Sequence, residues 1–145
     1  MLDLAEPDTA AALQRASAEL DIGFLVYNAA HSIIGPFLDH SVDEHLKEIA
    51  VNCRAPPAFT HHFAGCMAGR GGGGIVLLSS MAGFQGSPLI SNYAATKAYN
   101  MILAEGPWDE LRESGVDVLA CCAGATRTPN YLRSDPAGGS ALVPV

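Results

Sequence analysis

Three short apolar runs, separated by longer mixed segments, constrain the fold of this chain most. They cover residues 22–27, 75–79 and 116–122. Short runs that consist mostly of apolar residues, without regular alternation, are typical of strands in a parallel sheet that is buried on both faces. The segments between them are long enough for helices, and such strand–helix alternation is typical of a doubly wound α/β sheet. We predict a partial doubly wound parallel sheet of about three strands with flanking helices.

The segments beside these runs carry helix and turn signals. Residues 2–4 are predicted to end a strand. Pro7 suits the first turn of a helix that runs through Leu20, because the first helical position needs no N–H. The four glycines at 71–74 precede a strand, whereas a phosphate-binding loop joins a strand to a helix. We therefore interpret 71–74 as a flexible turn.

Two long helices are predicted between the strands. A capping-box sequence at 41–44 predicts a helix over 42–69, interrupted at Pro56-Pro57. A second helix is predicted over 92–114. Pro107 lies inside this second helix, where an interior proline costs about 3 kcal/mol or kinks the axis.

The composition excludes several classes of partner. The net charge is -7 and no basic patch stands out, so neither nucleic acid nor an anionic membrane surface is an expected partner. No run approaches the roughly 20 apolar residues that span a bilayer, and the acidic start lacks the pattern of a secretory signal. We therefore expect a cytoplasmic protein whose four cysteines stay reduced.

Tyr93 and Lys97 lie four positions apart on the second long helix, so both side chains project from one face. An ammonium beside a phenol favours the phenolate and lowers the tyrosine pKa. A tyrosine so placed can take a proton from an alcohol, or return one to a carbonyl, near neutral pH. An isolated Tyr-x-x-x-Lys is more often a surface pair, so the neighbouring motifs decide between the two interpretations.

Ser80 directly follows the second apolar run, thirteen positions before Tyr93. The segments Ser79-Ser80-Met81-Ala82-Gly83 and Tyr93-Ala94-Ala95-Thr96-Lys97 resemble the active-site signature of the short-chain dehydrogenases/reductases. The resemblance implies an oxidoreductase that transfers hydride between NAD or NADP and a secondary alcohol or carbonyl substrate. It also implies that Ser80 hydrogen-bonds the substrate oxygen, that Tyr93 is the acid/base, and that Lys97 binds the nicotinamide ribose.

Further segments match the family in the same order, up to about residue 130. Tyr27-Asn28-Ala29-Ala30 is similar to the family's Asn-Asn-Ala-Gly motif, and Val51-Asn52 matches the helical asparagine of its catalytic tetrad. Asp3-Leu4 resembles the pair that touches adenine. Segment 123–129 resembles a Pro-Gly segment whose threonine binds the nicotinamide carboxamide, although alanine replaces the proline. The resemblance thus makes Asn52 catalytic. It assigns cofactor contacts to Asp3, Leu4, Asn28, Ala29, Ala30, Tyr93, Lys97, Thr126 and Thr128.

Asn52 also has a physical reason to matter. Pro56 cannot donate to the carbonyl four residues earlier, so the Asn52 carbonyl is free to hold a water in a proton relay. A simple helix kink is the alternative interpretation. His31 and Ser32 follow a strand end that should meet the nicotinamide, but loop packing is favoured for them. His61, His62 and Cys66 are residue types that bind metals, but no second cluster completes a tetrahedral set of ligands. No metal site is therefore expected.

The resemblance stops short at both ends, so a chain truncated relative to the family is expected. No TGxxxGxG turn precedes Asp3 to hold the cofactor pyrophosphate, and dinucleotide binding by these residues alone should be weak. Residues 1–130 are predicted to form an incomplete NAD(P)-binding Rossmann-like catalytic region, and 131–145 a loop-like tail. The alternative is a catalytically silent fragment. At most, it would associate with other subunits through the helices at 42–69 and 92–114, which the resemblance implicates in homo-oligomers.

Overall fold

Three parallel strands form the sheet in the computed structural model, which describes residues 2–126. β1 (Phe24–Tyr27), β2 (Gly73–Ser80) and β3 (Val116–Ala123) lie side by side in that order, with β2 in the centre. Both strand pairs are parallel. The predicted fold class, a partial doubly wound α/β sheet, is therefore confirmed. The predicted tail at 131–145 lies outside the described residues.

The central strand begins two residues earlier than the sequence predicted. The Gly73 N–H donates to the Gly115 carbonyl at 3.1 Å, and the Gly74 N–H donates to the Gly23 carbonyl at 3.1 Å. Two of the four consecutive glycines are thus strand residues with a partner on each side. Only the first two glycines of the run lie outside the strand.

The N-terminal segment forms a turn where a strand end was predicted. The Asp3 carboxylate accepts a hydrogen bond from the Ala5 N–H at 2.9 Å, and this contact closes the turn. Helix α1 (Thr9–Ser17) follows and ends before the predicted limit at Leu20. In its last turn the Ser17 hydroxyl donates back to the Leu13 carbonyl at 2.9 Å.

Three further helices lie between the strands. α2 (Val42–Ile49) begins at the predicted capping box, and α3 (Ala55–Gly69) follows it. α4 (Ser91–Glu110) continues past Pro107, so the proline does not end the helix. A short 3-10 turn then leads to Gly115, whose φ of 72° lies in the left-handed region that favours glycine. None of the helices within residues 2–126 is long and apolar enough to cross a membrane.

The helix widens between α2 and α3, where an interruption at the two prolines was predicted. Residues Ala50–Arg54 form a π-helical turn. The prolines lie in the first turn of α3 and have no N–H, so the carbonyls of Val51 and Asn52, five residues before them, lack a helical donor. The Tyr27 hydroxyl donates to the Val51 carbonyl instead, at 2.6 Å. A side chain of β1 thus stabilises the widened turn.

The described helices cover one face of the sheet, although the continuous apolar runs predicted two covered faces. Successive strand side chains point to opposite faces. On the outer face, Phe24, Val26 and Leu119 are each more than half exposed. The core on the inner face is formed by Tyr27, Phe63, Met67, Ile75, Leu77, Val116 and Val118.

Candidate active site

Tyr93 and Lys97 lie on one face of the first two turns of α4, as their spacing predicts. The Lys97 ammonium lies 5.6 Å from the centroid of the Tyr93 ring. Lys97 is only 3% exposed, and its Nζ donates to the Leu78 carbonyl of β2 at 2.7 Å. A protein acceptor thus compensates the buried ammonium for part of the hydration that it loses.

Ser80 ends β2 near the Tyr93 phenol, and the Ser80 hydroxyl lowers the pKa of that phenol. The Ser80 hydroxyl also accepts a hydrogen bond from the Ala82 N–H at 3.2 Å. The turn that follows can lie against α4 because Gly83 has no side chain. A Cβ at this position would sit 2.8 Å from the Ala98 nitrogen. This close approach holds the end of β2 against the helix that carries the tyrosine.

Burial dominates the proton affinity of Tyr93. Desolvation raises the pKa of the Tyr93 phenol, the hydrogen bond with Ser80 lowers it, and the charge of Glu48 raises it again. The net result is a raised pKa of Tyr93, whereas the spacing of Tyr93 and Lys97 predicted a lowered one. The Lys97 ammonium is directed at the Leu78 carbonyl, and burial lowers the pKa of Lys97 itself.

Asn52 is buried in the π-helical turn and makes its contacts through the side-chain amide. Oδ1 accepts from the His31 N–H at 2.8 Å, and Nδ2 donates to the His31 carbonyl at 2.7 Å. Nδ2 also donates to the Thr96 hydroxyl at 3.0 Å, which in turn donates to the Tyr93 carbonyl at 2.8 Å. Asn52 therefore links the loop after β1 to the helix of the tyrosine. The water-binding role of the Asn52 carbonyl stays a prediction.

The residues predicted at the nicotinamide lie at the carboxyl edge of the sheet. The segment 28–30 follows β1 and is exposed. Thr126 follows β3, and its hydroxyl donates to the Gly124 carbonyl at 3.1 Å. In doubly wound sheets, ligands bind outside the carboxyl ends of the strands. Thr128, the other threonine of this set, lies outside the described residues.

The two residues predicted at adenine have contacts within the N-terminal part of the chain. The Asp3 carboxylate closes the N-terminal turn. Leu4 is partly buried and packs against the hydrophobic core. These contacts give both residues a structural function, and their contact with a cofactor stays a prediction.

Two residues that sequence reasoning missed, Glu48 and Asn92, complete the polar cluster. Glu48 of α2 is fully buried, and its carboxylate accepts hydrogen bonds from Asn92 Nδ2 at 2.7 Å and from the Ile33 N–H at 3.2 Å. Burial raises the pKa of this carboxyl. The available signal is the position of Glu48, one helical turn before Asn52 and therefore on the same helix face.

Comparison with known sequences shows the family. The sequence model described as short chain dehydrogenase matches residues 2–136. The chain is 32% identical over 140 residues to the 7β-hydroxysteroid dehydrogenase of Clostridium sardiniense, a match that covers 97% of this chain and 54% of the relative. It is 32% identical over 136 residues to the 7β-hydroxysteroid dehydrogenase of Collinsella aerofaciens, covering 94% and 52%. The chain thus spans about half the length of the curated relatives it matches.

Solved structures give the same result. A short-chain dehydrogenase from Sphingobium yanoikuyae in complex with NADPH matches with a TM-score of 0.83 and 32% identity, covering 91% of this chain and 52% of that one. A structure from a study of 7β-hydroxysteroid dehydrogenase stereoselectivity also has a TM-score of 0.83 and 32% identity, covering 97% and 56%. From its motif order, its parallel sheet and these matches, we conclude that the chain belongs to the short-chain dehydrogenase/reductase family.

Proposed function

We propose that this chain carries the acid/base part of an oxidoreductase that transfers hydride between NAD or NADP and a secondary alcohol or carbonyl. The observation that carries the proposal is the position of Tyr93 between two groups: the Lys97 ammonium lies 5.6 Å from the tyrosine ring, and the Ser80 hydroxyl is close enough to the phenol to lower its pKa. A hydroxyl and a phenol at one point offer a carbonyl oxygen two hydrogen-bond donors, one of which can also transfer a proton.

Each side chain has one task in this proposal. The Ser80 hydroxyl donates to the substrate oxygen, and Tyr93 gives that oxygen a proton in reduction or takes it in oxidation. Lys97 binds the nicotinamide ribose, and Asn52 supports the site through the His31 loop. Because burial raises the pKa of Tyr93, the phenol keeps its proton at neutral pH. This favours Tyr93 as the acid in carbonyl reduction.

The carboxyl edge of the sheet fits the nicotinamide end of a dinucleotide. Asn28 and Thr126 offer polar side chains there, and Ala29 and Ala30 are exposed and have only small side chains. When bound, the dinucleotide supplies or accepts the hydride. The NADPH complex of the Sphingobium relative supports this cofactor class. The proposed cofactor contacts are Asp3, Leu4, Asn28, Ala29, Ala30, Tyr93, Lys97, Thr126 and Thr128.

For the substrate, we infer a bulky, largely apolar alcohol or ketone of the hydroxysteroid class. Three of the large apolar side chains between Ser80 and Tyr93 in sequence are exposed. They are Met81, Phe84 and Leu89, which are 61%, 66% and 54% exposed. Exposed apolar groups beside polar reacting groups suit a ligand with an extended apolar body. The two relatives named 7β-hydroxysteroid dehydrogenase support the same class.

We also propose a homo-oligomer that uses the helical segments at 42–69 and 92–114. Val42 and Leu46 on α2 are 71% and 55% exposed, and Ile102 and Trp108 on α4 are 66% and 51% exposed. Exposed apolar groups of this size are typical of protein contact surfaces. Analytical ultracentrifugation checks this proposal, and a monomer at tens of micromolar would contradict it.

The main test measures turnover of a 7-oxosteroid and of acetone by the 145-residue chain with NADH or NADPH. The steroid is expected to be the better substrate. Tyr93→Phe is expected to lower turnover about 100-fold or more, because it removes the proton donor. Tyr99→Phe changes an exposed tyrosine of the same helix and is the matched control.

Isothermal titration with NAD(H) and NADP(H) separates binding from chemistry in this test. We expect weak but measurable binding that Tyr93→Phe does not abolish. Unchanged turnover in Tyr93→Phe would contradict the assignment of the acid. If the wild-type chain shows no binding and no turnover, the result would favour a catalytically silent chain instead.

A further inference from the structure

Glu48 is an unusual residue for its position in α2. It is fully buried, and its neighbours in the helix include exposed residues such as Lys47 and Ile49. Removing a carboxyl group from water is costly, and an apolar side chain of similar volume is often as stabilising or more so. Packing alone therefore does not explain a carboxyl group at this point, and its hydrogen-bond partners become informative.

Those partners belong to two segments that border the candidate site. One carboxylate oxygen accepts from Asn92 Nδ2 at 2.7 Å, and the other accepts from the Ile33 N–H at 3.2 Å. The same Asn92 amide donates to the His45 carbonyl at 3.1 Å. Asn92 is thus held at two points of α2, and Tyr93 is the next residue in the chain.

The start of α4 has no local side chain to stabilise it. Its N-cap is Ile90, which makes no side-chain capping hydrogen bond, and its first turn contains no acidic residue. α2, by contrast, starts with a complete capping box. An uncapped first turn frays readily, because its N–H groups have no intrahelical partners. The contact between Glu48 and Asn92 supplies from another helix the support that the first turn of α4 lacks.

We propose that Glu48 is a positioning residue for Tyr93, which holds the first turn of α4 and the loop at Ile33 against α2 through its buried carboxylate. The contact with Asn92 is charge-assisted and short, and such hydrogen bonds are stronger than neutral ones. The inference rests on the proposed function only for its catalytic consequence. The physical claim, that Glu48 orders the turn that carries Tyr93, stands without it.

Native-state hydrogen exchange by NMR tests this claim without any cofactor or turnover. The Ala94 N–H donates to the Ile90 carbonyl at 2.8 Å and reports on the first turn, whereas Ala104 is buried in the core and reports on the rest of α4. Glu48→Met is expected to speed exchange at Ala94 about tenfold relative to Ala104, because a charge-assisted hydrogen bond is lost.

The matched control is Lys47→Met, which places the same side chain on the exposed side of α2 and should leave both exchange rates unchanged. Asn92→Ala removes the contact from its other end, so it should reproduce the selective effect even if Glu48→Met fails to fold. Equal acceleration at Ala94 and Ala104, or none, in Asn92→Ala would overturn the proposal.

Turnover is measured on the same variants to separate this proposal from the proposed function. Suppose that the variants exchange faster at Ala94 but not at Ala104, while the wild-type chain shows no turnover. This result would support the positioning role of Glu48 and count against the proposed function. Suppose instead that Tyr93→Phe abolishes turnover, while Asn92→Ala changes the exchange rates at Ala94 and Ala104 equally. This result would support the proposed function and count against the positioning role of Glu48.

Discussion

The two sides of the candidate site differ in how their side chains are held. On the acid/base side, Asn52 and Lys97 are buried, and their polar atoms have protein partners at 2.7–3.0 Å. On the strand-end side, the segment 28–30 is exposed, and within residues 2–126 the Asn28 side chain has no hydrogen bond. The acid/base groups are thus organised by the protein alone, whereas the strand ends remain open to a ligand. Preorganised donors of the first kind lose little free energy in reorganising during a reaction.

The largest loss of stability is expected at Asn52, a buried residue of the acid/base side. Asn52→Ala leaves the N–H and carbonyl of His31 without their partners, and Thr96 loses a donor. We expect the free energy of unfolding to fall by about 2–3 kcal/mol, because unpaired buried polar groups carry a desolvation cost. Urea unfolding followed by circular dichroism measures it. A loss under about 0.5 kcal/mol, the range of ordinary surface changes, would remove the contrast between the two sides.

A smaller loss in the free energy of unfolding is expected from Tyr27→Phe. This substitution removes the only hydroxyl that reaches the Val51 carbonyl among the described residues, and the prolines of α3 cannot donate in its place. We expect a loss of about 1–2 kcal/mol in the free energy of unfolding. Tyr99→Phe serves as the exposed control. Equal stability of the two variants would mean that the π-helical turn does not depend on β1.

The titration of Tyr93 tests the electrostatics of the acid/base side. Burial is the largest cause of its raised pKa, the Ser80 hydrogen bond opposes it, and the Glu48 charge adds to it. Ser80→Ala should therefore move the midpoint of the Tyr93 titration to higher pH, and Glu48→Gln should move it to lower pH. NMR of tyrosine labelled with ¹³C at Cζ follows the phenol directly, with Tyr93→Phe for assignment. Shifts of the same sign in both variants would contradict this account.

The smallest effect on stability is expected on the open side. Asn28→Ala should change the free energy of unfolding by less than about 0.5 kcal/mol, because the side chain is exposed and has no partner within residues 2–126. The same variant should weaken dinucleotide binding in isothermal titration. A large loss of stability would show that the strand ends are organised in the same way as the acid/base side.

Features that depend on a few neighbouring residues could be predicted from the sequence. The capping box at residues 41–44 begins α2 as predicted, because both of its hydrogen bonds form within one turn. The spacing of Tyr93 and Lys97 placed them on one face of α4, since 3.6 residues complete a turn. Local signals predicted a turn at residues 71–74, but two of these glycines belong to the central strand. Their N–H groups donate to the carbonyls of Gly115 and Gly23, which lie on opposite sides of the central strand.

The sequence by itself determined the parallel three-stranded architecture and the order of the site motifs along the chain, because both depend on apolar patterning and spacing. Tertiary structure alone decided which partners these residues meet. Lys97 bonds the Leu78 carbonyl, 19 positions earlier, and Glu48 bonds Asn92, 44 positions later. The pKa of Tyr93 rises because the packed chain removes water from the phenol, and no local pattern contains that information.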